Sequence, residues 1–597
     1  MHALPTLPSA ALLVGGAFSA FQHAARDPVA VSDATIAAPR GVAVAADGDL
    51  AAVLFEDDAT QRVYVAVADA RALAFGPPVR IDGDVGAHDK AVGPTVFEAS
   101  GALAVRGDTV YASWLDERNA AGGGFGGAEA VDVYFARSTD AGATWTEQPV
   151  PKGYAVGGSS PVLSYAMAVS DDGEHVYVAQ IVDPSFFGGV TTELWLAASH
   201  DGGLSFDDPI RVDGGSTEQR FVALALDGDV LHVAHIAATY PPGTWSYDVF
   251  HQAAPFGAGF PATPTQVDLY GEKENLAIAE VGLAARAGVV AVSWTQNDDG
   301  GAAIGTDPFV AVSSDGGANF GAPTSASSAA PYANTTYETA VAVAADGAVV
   351  VAWADDRNGP LATQTTLFAA RSADGGASWS PEVDFGAPTS RGTRLAARGD
   401  DLVLSWQGSA VRSAFSRDGG LTWSQPDIDV SGPDPNDFPF RAKPSALAEL
   451  YDNALFAYVG REEGDPQKQR VFVGGYRLPE VAPQGFLAGG TAHVELASFS
   501  GAAPVAWVVF SAAPGDLILP FGDGRNLGLA FDSLLTASLA SPAVLLTGLD
   551  AAGTGATASF AVPFAPGTQL FAAAVSLALA PAVELDEVTD AVAIEVQ

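Results

Sequence analysis

Cysteine is absent from all 597 residues of the sequence. This absence excludes disulfide bonds, thiolate zinc sites and cysteine nucleophiles. Positive charge is scarce as well, since 28 lysine and arginine residues stand against 70 aspartate and glutamate residues, a formal net charge of −42. An acidic chain of this kind repels phosphate backbones and anionic membrane surfaces, so we do not expect nucleic acid as a partner.

Long apolar runs are missing too, because no segment reaches the roughly 18 uninterrupted apolar residues that a membrane-spanning helix needs. Residues 1–25 contain one shorter apolar run, 10–21, and the small residues Ala17 and Ser19 within it suit a cleavage site. This segment predicts a signal peptide, with a disordered leader as the alternative because no lysine or arginine precedes the run. We therefore expect a secreted or cell-surface protein, extracellular or periplasmic, without a membrane span.

A repeated unit fills most of the chain. Each unit has a short alternating strand, a turn, and a second strand that often ends in an aromatic residue. Equivalent positions in the second strand follow each other at steps of 52 to 65 residues: Phe55, Trp114, Gln180, His235, Trp294, Trp353, Trp406 and Tyr458. Repeats of three or four antiparallel strands around an axis describe a β-propeller. We count eight units over residues 35–478, or six or seven blades if weak units pair.

A turn motif, Ser-x-Asp-x-Gly-x-x-Trp/Phe, recurs five times within these units. Its carboxylate can accept backbone N–H groups of its own turn, its glycine permits a positive φ, and its aromatic ring can pack on the blade. Turn chemistry therefore explains these aspartates, and we expect them to be structural. The five are Asp140, Asp201, Asp315, Asp374 and Asp418.

The composition changes after a proline- and glycine-bearing linker at 478–485. Residues 486–597 contain one basic residue, Arg525, and alternating Ala, Leu and Val segments between Gly, Asp and Pro turns. This pattern predicts a C-terminal β-sandwich of accessory function. The fold class is therefore all-β throughout.

The turn motif resembles the Asp box of sialidases, also called the BNR repeat, over residues 35–478. Two further segments, 114–119 (WLDERN) and 353–359 (WADDRNG), are also similar to that family's repeat. The resemblance implies a propeller with the boxes on its rim, away from the substrate. It also implies a chemistry in which three arginines hold the carboxylate of an acidic sugar, a tyrosine polarised by a glutamate acts as nucleophile, and an aspartic acid donates a proton.

Residues that precede the innermost strands are the candidates for that chemistry. Arg40, Arg220, Arg394 and Arg441 recur at this level and could bind an anion, or they could form ion pairs with surplus carboxylates. Tyr337 and Glu338 are the candidate nucleophile and base, although neighbours in a strand point to opposite faces. Asp57 and Asp58 are the candidate acids, with a solvated acidic loop as the alternative. The family's Arg-Ile-Pro motif is missing near Arg40.

Other chemistries find little support in the sequence. The nine histidines form no zinc-ligand spacing, so no metal site is predicted, and no phosphate-binding or dinucleotide-binding glycine pattern is present. No cofactor is expected, although an acidic run could collect Ca²⁺: Asp427, Asp429, Asp434, Asn436 and Asp437. Asp116 with Arg118, and Asp355 with Arg357, are expected to form loop ion pairs.

Two functions stay open. In the first, a secreted sialidase-like glycoside hydrolase removes a terminal acidic sugar. In the second, a non-catalytic surface or matrix propeller binds glycan or protein. The expected partner is a glycan or glycoconjugate, and we expect a monomeric chain.

Overall fold

A computed structural model describes most of the repeats and part of the C-terminal region. Its described residues are 25–32, 35–47, 50–69, 74–86, 88–92, 102–119, 131–158, 160–184, 191–215, 218–239, 246–261, 263–268, 281–297, 305–329, 334–358, 365–389, 391–407, 411–416, 418–423, 428–429, 445–446, 453–462, 465–477, 480–484, 491–497, 505–512, 546–548, 555–557, 559–561, 566, 568–578, 584–588 and 592–596. All regular structure in these residues is β-strand. No helix that could cross a membrane occurs in this part of the chain.

Eight antiparallel sheets follow one another along the repeats and form an eight-bladed propeller, which confirms the predicted fold class and the count of eight. The strands of each blade are given from the innermost outward. Blade one consists of Pro39–Asp47, Leu50–Asp57, Arg62–Asp69 and Ala74–Phe75 with Val79–Arg80, and blade two of Lys90–Ala91 with Leu103–Arg106, Thr109–Asp116, Asp132–Ser138 and Thr146–Pro149. Blade three consists of Val162–Val169, Val176–Val182, Glu193–Ser199 and Ile210–Arg211.

Blades four to seven repeat this order of four strands. Blade four consists of Glu218–Asp227, Val230–Thr239, Ser246–Pro255 and Thr265–Gln266, and blade five of Val281–Arg286, Val289–Asn297, Thr306–Ser313 and Thr324–Ser325. Blade six consists of Thr336–Val343, Val349–Asp355, Thr365–Ser372 and Val383–Thr389, and blade seven of Arg391–Arg398, Asp401–Gln407, Val411–Ser416 and Ile428–Asp429.

Blade eight is built from both ends of the propeller chain. Ser445–Ala446, Asn453–Glu462 and Asp465–Arg477 supply its inner strands, and the N-terminal strand Ala25–Ala30 pairs antiparallel with Asp465–Arg477 as its outermost strand. Val31 N–H then donates to Val471 O at 2.8 Å. The sequence does not predict this strand, which closes the ring.

Apolar side chains fill the seams between neighbouring blades. Second- and third-strand residues of one blade pack against first- and second-strand residues of the next; for example, Leu54 and Val65 of blade one share a cluster with Val105 and Trp114 of blade two. A further cluster joins blade eight to blade one. These buried β-branched and aromatic faces explain the period-two alternation of the repeats.

The repeated aromatic residue of the second strand stacks on an aromatic residue of the third strand. Trp294 lies 6.2 Å from Phe309, and His235 lies 5.4 Å from Phe250 between ring centroids. Burial lowers the pKa of His235 to about 3, so its ring is neutral. His235 therefore occupies the tryptophan position of its blade as a packing residue.

The turn motif connects the third strand to the outermost strand. In blade six, Ser372 Oγ donates to Asp374 Oδ1 at 2.8 Å, Ser378 N–H donates to the same oxygen at 2.9 Å, and Ser378 Oγ donates to Asp374 Oδ2 at 2.5 Å. Gly376 has φ +84°, a conformation that favours glycine. The same bonds recur at Asp140, Asp201, Asp315 and Asp418.

The aromatic residue of the motif reaches the preceding blade. Trp379 Nε1 donates to Thr324 Oγ1 of blade five at 2.9 Å, and Thr324 Oγ1 donates to Gly376 O at 2.6 Å. The motif thus fixes both its own turn and the seam to its neighbour.

The C-terminal unit, Arg477–Gln597, contains two antiparallel sheets. They consist of Glu480–Gln484, Thr491–Ala497, Gly555–Ala556 and Phe560–Ala561; and of Leu546–Gly548, Val505–Ser511, Gln569–Ala578, Glu584–Val588 and Val592–Glu595. Phe510 of one sheet meets Phe560 of the other edge to face, with ring centroids 5.7 Å apart.

Candidate functional site

The two ends of the propeller carry different features. We call the end with the first-to-second-strand turns and the turn motifs the back end, and the end where the chain enters the innermost strands the front end. Because neighbouring strands are antiparallel, the loops between second and third strands also lie at the front end. Arg40, Arg220, Tyr337 and Arg394 all lie there, near the start of innermost strands in blades one, four, six and seven.

A β-bulge marks the start of several innermost strands. The register shifts between Val162 and Ser164, between Gln219 and Phe221, and between Thr336 and Glu338. The bulged residues are Leu163, Arg220 and Tyr337. A bulge inserts one extra residue into a strand and redirects its side chain, and bulges are frequent beside active sites.

The bulged side chains are accessible although their neighbours are buried. Leu163 is 46% exposed, the Arg220 side chain is 41% exposed, and Tyr337 is half-buried. Glu338, the next residue, is buried. The bulges therefore present one side chain per strand to solvent at the front end.

Arg220 has one ion-pair partner among the described residues. Its Nε donates to Glu218 Oε1 at 2.7 Å, and its guanidinium lies 4.7 Å from the centre of the Tyr247 ring. Both terminal nitrogens, Nη1 and Nη2, make no hydrogen bond within this part of the chain. An arginine held in this way can offer its outer edge to an anion.

Arg40 belongs to an acidic cluster in blade one. It pairs through Nε with Glu56, through Nη1 with Asp58 at 2.8 Å, and donates from Nη2 to Lys90 O at 3.3 Å. Burial raises the pKa of Glu56 to about 8, although Arg40 and the Val92 N–H act in the opposite direction. Glu56 is thus a buried carboxyl group with a raised pKa, and the sequence did not single it out.

The two candidate acids of this loop have different surroundings. Asp57 is buried, accepts from Ala38 N–H at 2.9 Å and from Thr60 Oγ1 at 2.7 Å, and so holds the turn after the second strand. Asp58 is half-exposed and paired with Arg40. Only Asp58 of the two faces solvent to a substantial degree.

Glu338 and Arg394 lie at the seam between blades six and seven. The Glu338 carboxylate accepts the N–H groups of Gly392 at 2.5 Å and of Thr393 at 2.9 Å, which ties one innermost strand to the next. Arg394 is half-buried, donates from Nη1 to Thr393 O at 3.0 Å, and burial lowers its pKa to about 10.

Several predicted residues lie outside the described residues. These are Arg441 and, from the acidic run, Asp427, Asp434, Asn436 and Asp437.

The expected loop ion pairs are present. Arg118 pairs with Asp116 at 2.6 Å and Glu147 at 2.5 Å and lies 3.8 Å from the centre of the Tyr134 ring. In blade six, Arg357 makes the corresponding contacts with Asp355, Glu382 and Phe368. These arginines link the front-end loops to the outer strands.

Lys90 and Lys152 are buried, which sequence reasoning missed. Lys90 Nζ lies 2.8 Å from Asp84 and 3.7 Å from Asp116, and Lys152 Nζ lies 2.6 Å from Asp132. Burial lowers the pKa of Lys152. Because lysine is rare in this chain, its few positions could have been examined in the sequence as candidates for buried ion pairs.

No protein-family model and no curated protein matches this chain. Solved structures with a similar fold include the polysaccharide lyase Uly1, with 10% identity, a TM-score of 0.43, and coverage of 65% of this chain and 91% of the lyase. An α-L-arabinanase from Penicillium chrysogenum has 15% identity, a TM-score of 0.34, and coverage of 62% and 90%.

The α-L-arabinofuranosidase Arb93A from Fusarium graminearum has 13% identity, a TM-score of 0.35, and coverage of 53% and 93%. These three neighbours are glycan-processing enzymes, and none of the three is a sialidase. The sialidase assignment of the sequence stays a prediction.

Proposed function

We propose that the chain is a glycan-acting β-propeller that binds an acidic sugar at its front end. One observation carries the proposal: β-bulges present Arg220 and Tyr337 to solvent near the start of two innermost strands, and Arg40 and Arg394 lie near the start of two others. Innermost strands surround the axis of a propeller, so these blades can contribute to one central site.

Arginine chemistry suits a sugar carboxylate. The planar guanidinium pairs with a carboxylate through two parallel hydrogen bonds. Arg220 has Nη1 and Nη2 available for this geometry, whereas Arg40 is already paired with Glu56 and Asp58. Arg220 is therefore the primary contact in the proposal, and Tyr337 supplies a hydroxyl and a ring face for the sugar.

Hydrolysis of a sialoside is the finer form of the proposal, with Tyr337 as nucleophile and Asp58 as acid. Binding without hydrolysis is the second candidate, and the contacts of Glu338 favour it. Its carboxylate holds the backbone of Gly392 and Thr393, so polarising Tyr337 would require breaking bonds between blades.

The test measures binding and turnover separately. Sialyllactose, a glucuronate-containing oligosaccharide and neutral lactose are titrated by calorimetry, and a fluorogenic sialoside reports hydrolysis. We expect binding of an acidic glycan, no binding of lactose, and at least a tenfold loss of affinity in Arg220→Ala with a partial loss in Arg220→Lys, because a bidentate contact to carboxylate is removed or weakened.

Arg106→Ala is the matched control, since Arg106 lies at the back end and pairs with Asp171. Unchanged affinity in Arg220→Ala would contradict the proposed site. If the parent hydrolyses the sialoside and Tyr337→Phe abolishes hydrolysis without a change in affinity, the chain is a hydrolase. If the parent binds the glycan but does not hydrolyse it, the second candidate, binding without hydrolysis, is correct.

A further inference from the structure

Blade three has an extended turn at the back end. Ser170 N–H donates to His175 O at 2.9 Å, so four residues, 171–174, lie between the paired positions. Only two residues lie between the corresponding pairs in blades one, two, four, five and seven. The additional length places Asp172 and Glu174 beside His175.

A second histidine lies directly across the ladder. The pairing of Val176 with Ser199 continues to His175 and His200, whose Nδ1 atoms are 2.7 Å apart. Two nitrogens bound to one tetrahedral zinc ion would be about 3.3 Å apart, given Zn–N bonds of about 2.0 Å. Without an ion the two nitrogens share a hydrogen bond, and a shared ion would need them about 0.6 Å further apart.

Two carboxylates lie beside His175, and His200 reaches this group of three through its contact with His175. Oxygen atoms of Asp172 and Glu174 and a ring nitrogen of His175 all lie within 4.8 Å of one another. Asp172 Oδ1 accepts from Ser170 Oγ at 2.5 Å and from Glu174 N–H at 2.9 Å, and these two bonds fix the position of the carboxylate.

The outer nitrogen of His200 also has the partner that a metal-bound histidine usually has. His200 Nε2 faces Asp207 Oδ2 at 3.5 Å, while Nδ1 points to His175. Histidine ligands commonly turn their second nitrogen to a carboxylate, which fixes the ring. The Phe256 ring, 4.7 Å from the His175 ring, packs against it from blade four.

The repeats show that these histidines are not needed for the fold. In the turn motifs the position of His200 holds Thr139, Ser314, Ala373 or Arg417 in other blades, with the same Ser–Asp hydrogen bonds. The residue before the second strand is His175 in blade three and Ala348 in blade six. The pair is a local departure from the repeat.

We infer that Asp172, Glu174, His175 and His200 form a binding site for a divalent transition metal ion, with Zn²⁺ as the ligand that fits best. Two imidazole nitrogens with two carboxylates suit tetrahedral Zn²⁺. Ca²⁺ prefers six to eight oxygen ligands and would make no use of the histidines. The site is separate from the front end and does not depend on the proposed function.

The experiment titrates the full chain, stripped with EDTA and dialysed, with ZnCl₂ and separately with CaCl₂ by calorimetry. We expect one Zn²⁺ per chain, binding more tightly than Ca²⁺. His200→Ser, which copies Ser314 of blade five, and His175→Ala, which copies Ala348 of blade six, should each weaken Zn²⁺ binding at least tenfold. His493→Ser, in the C-terminal unit, is the control and should bind as the parent does.

X-ray absorption at the zinc edge should show two imidazole ligands in the parent and one in His200→Ser. Circular dichroism without metal reports whether each variant folds. If His175→Ala does not fold, the comparison of the parent with His200→Ser is the test. Absent Zn²⁺ binding, equal affinity in parent and His200→Ser, or an imidazole-free coordination shell would each overturn the inference.

Discussion

Asp374 shows how one exposed carboxylate holds a turn of the propeller. Hydrogen bonds from the Ser378 hydroxyl and N–H, and from Ser372, hold the pKa of Asp374 at about 2. The corresponding bonds hold the pKa values of Asp140 and Asp315 at about 2 as well. Since an unfolded aspartate titrates near 3.9, the ionised form favours the folded chain. This stabilisation is present above about pH 4 and is lost as the pH falls towards 2.

Replacing Asp374 tests this role. Asp374→Asn removes one acceptor of the turn, so we expect a lower melting temperature at pH 7 and a smaller difference from the parent at pH 3, where the parent carboxylate begins to protonate. Thermal melts followed by circular dichroism at pH 7, 5 and 3 measure both differences. Asp171→Asn, at a fully exposed residue outside the motifs, should change little at any pH. A difference for Asp374→Asn that does not vary with pH would contradict the account.

For single residues, the sequence predicts those roles that depend on local chemistry. The Ser-x-Asp-x-Gly motif predicts its own turn because all its partners lie within a few residues. The exposure of Arg220 and Tyr337 depends instead on bulges, which change the period-two alternation and which no local pattern announces. Glu56 gains its raised pKa from burial by distant strands, so sequence reasoning missed it.

The second and third strands, with the loop that joins them, form a repeated element in blades two and six. In blade six the Trp353 Nε1 donates to Asp355 at 3.1 Å, and Arg357 connects Asp355 to Glu382 while lying 4.1 Å from the centre of the Phe368 ring. One guanidinium thus joins the second, third and outer strands. Because Asp355 is buried, it depends on this partner.

Removing that guanidinium should destabilise the blade. Arg357→Ala leaves the buried Asp355 carboxylate without its cation, and we expect a loss of about 3 kcal/mol in the free energy of unfolding. Arg357→Lys keeps the charge but not the planar fork, so its loss should be smaller. Urea unfolding at pH 7 followed by tryptophan fluorescence measures both. A loss below about 1 kcal/mol for Arg357→Ala would show that the network contributes little.

The sequence predicts these elements in part. The Asp-x-Arg spacing after Trp114 and Trp353 predicts the loop ion pairs. Their connection to Glu147 and Glu382 was not predicted, because these glutamates follow about 25 to 30 residues later. Glu147 lies on the outer strand of its blade and Glu382 directly before the outer strand of its own, and the turn motif sets the position of both strands.

At the scale of the whole molecule, closure of the ring depends on one short strand. Ala25–Ala30 covers the outer edge of Asp465–Arg477, and Ser32 Oγ accepts from Val471 N–H at 2.9 Å. Without that cover the edge would offer unpaired N–H and C=O groups to other chains. The count of eight blades follows from the repeat, but this strand does not, because it contains charge and proline and lies beside a predicted leader.

Deletion of residues 1–31 should therefore impair closure. We expect a markedly lower melting temperature and concentration-dependent association, because blade eight loses its outermost strand. Deletion of residues 1–24 is the control, since it keeps the strand. Differential scanning calorimetry and light scattering after size exclusion measure the two effects. A monomer with the parent's melting temperature after the longer deletion would show that the strand is dispensable.

Because blade eight contains strands from both ends of the propeller, it can form only late in synthesis of the chain. Ala30 and Asp465 are 435 residues apart in the chain, and a ribosome that adds about 5–20 residues each second needs about 20–90 s to cover that interval. During that time the first strand made has no partner, so seven blades can form before the ring can lock. Arg26, Asp27 and Pro28 in that waiting strand discourage pairing with the wrong edge. Formation of blade eight is thus the step that closes the ring of the nascent chain.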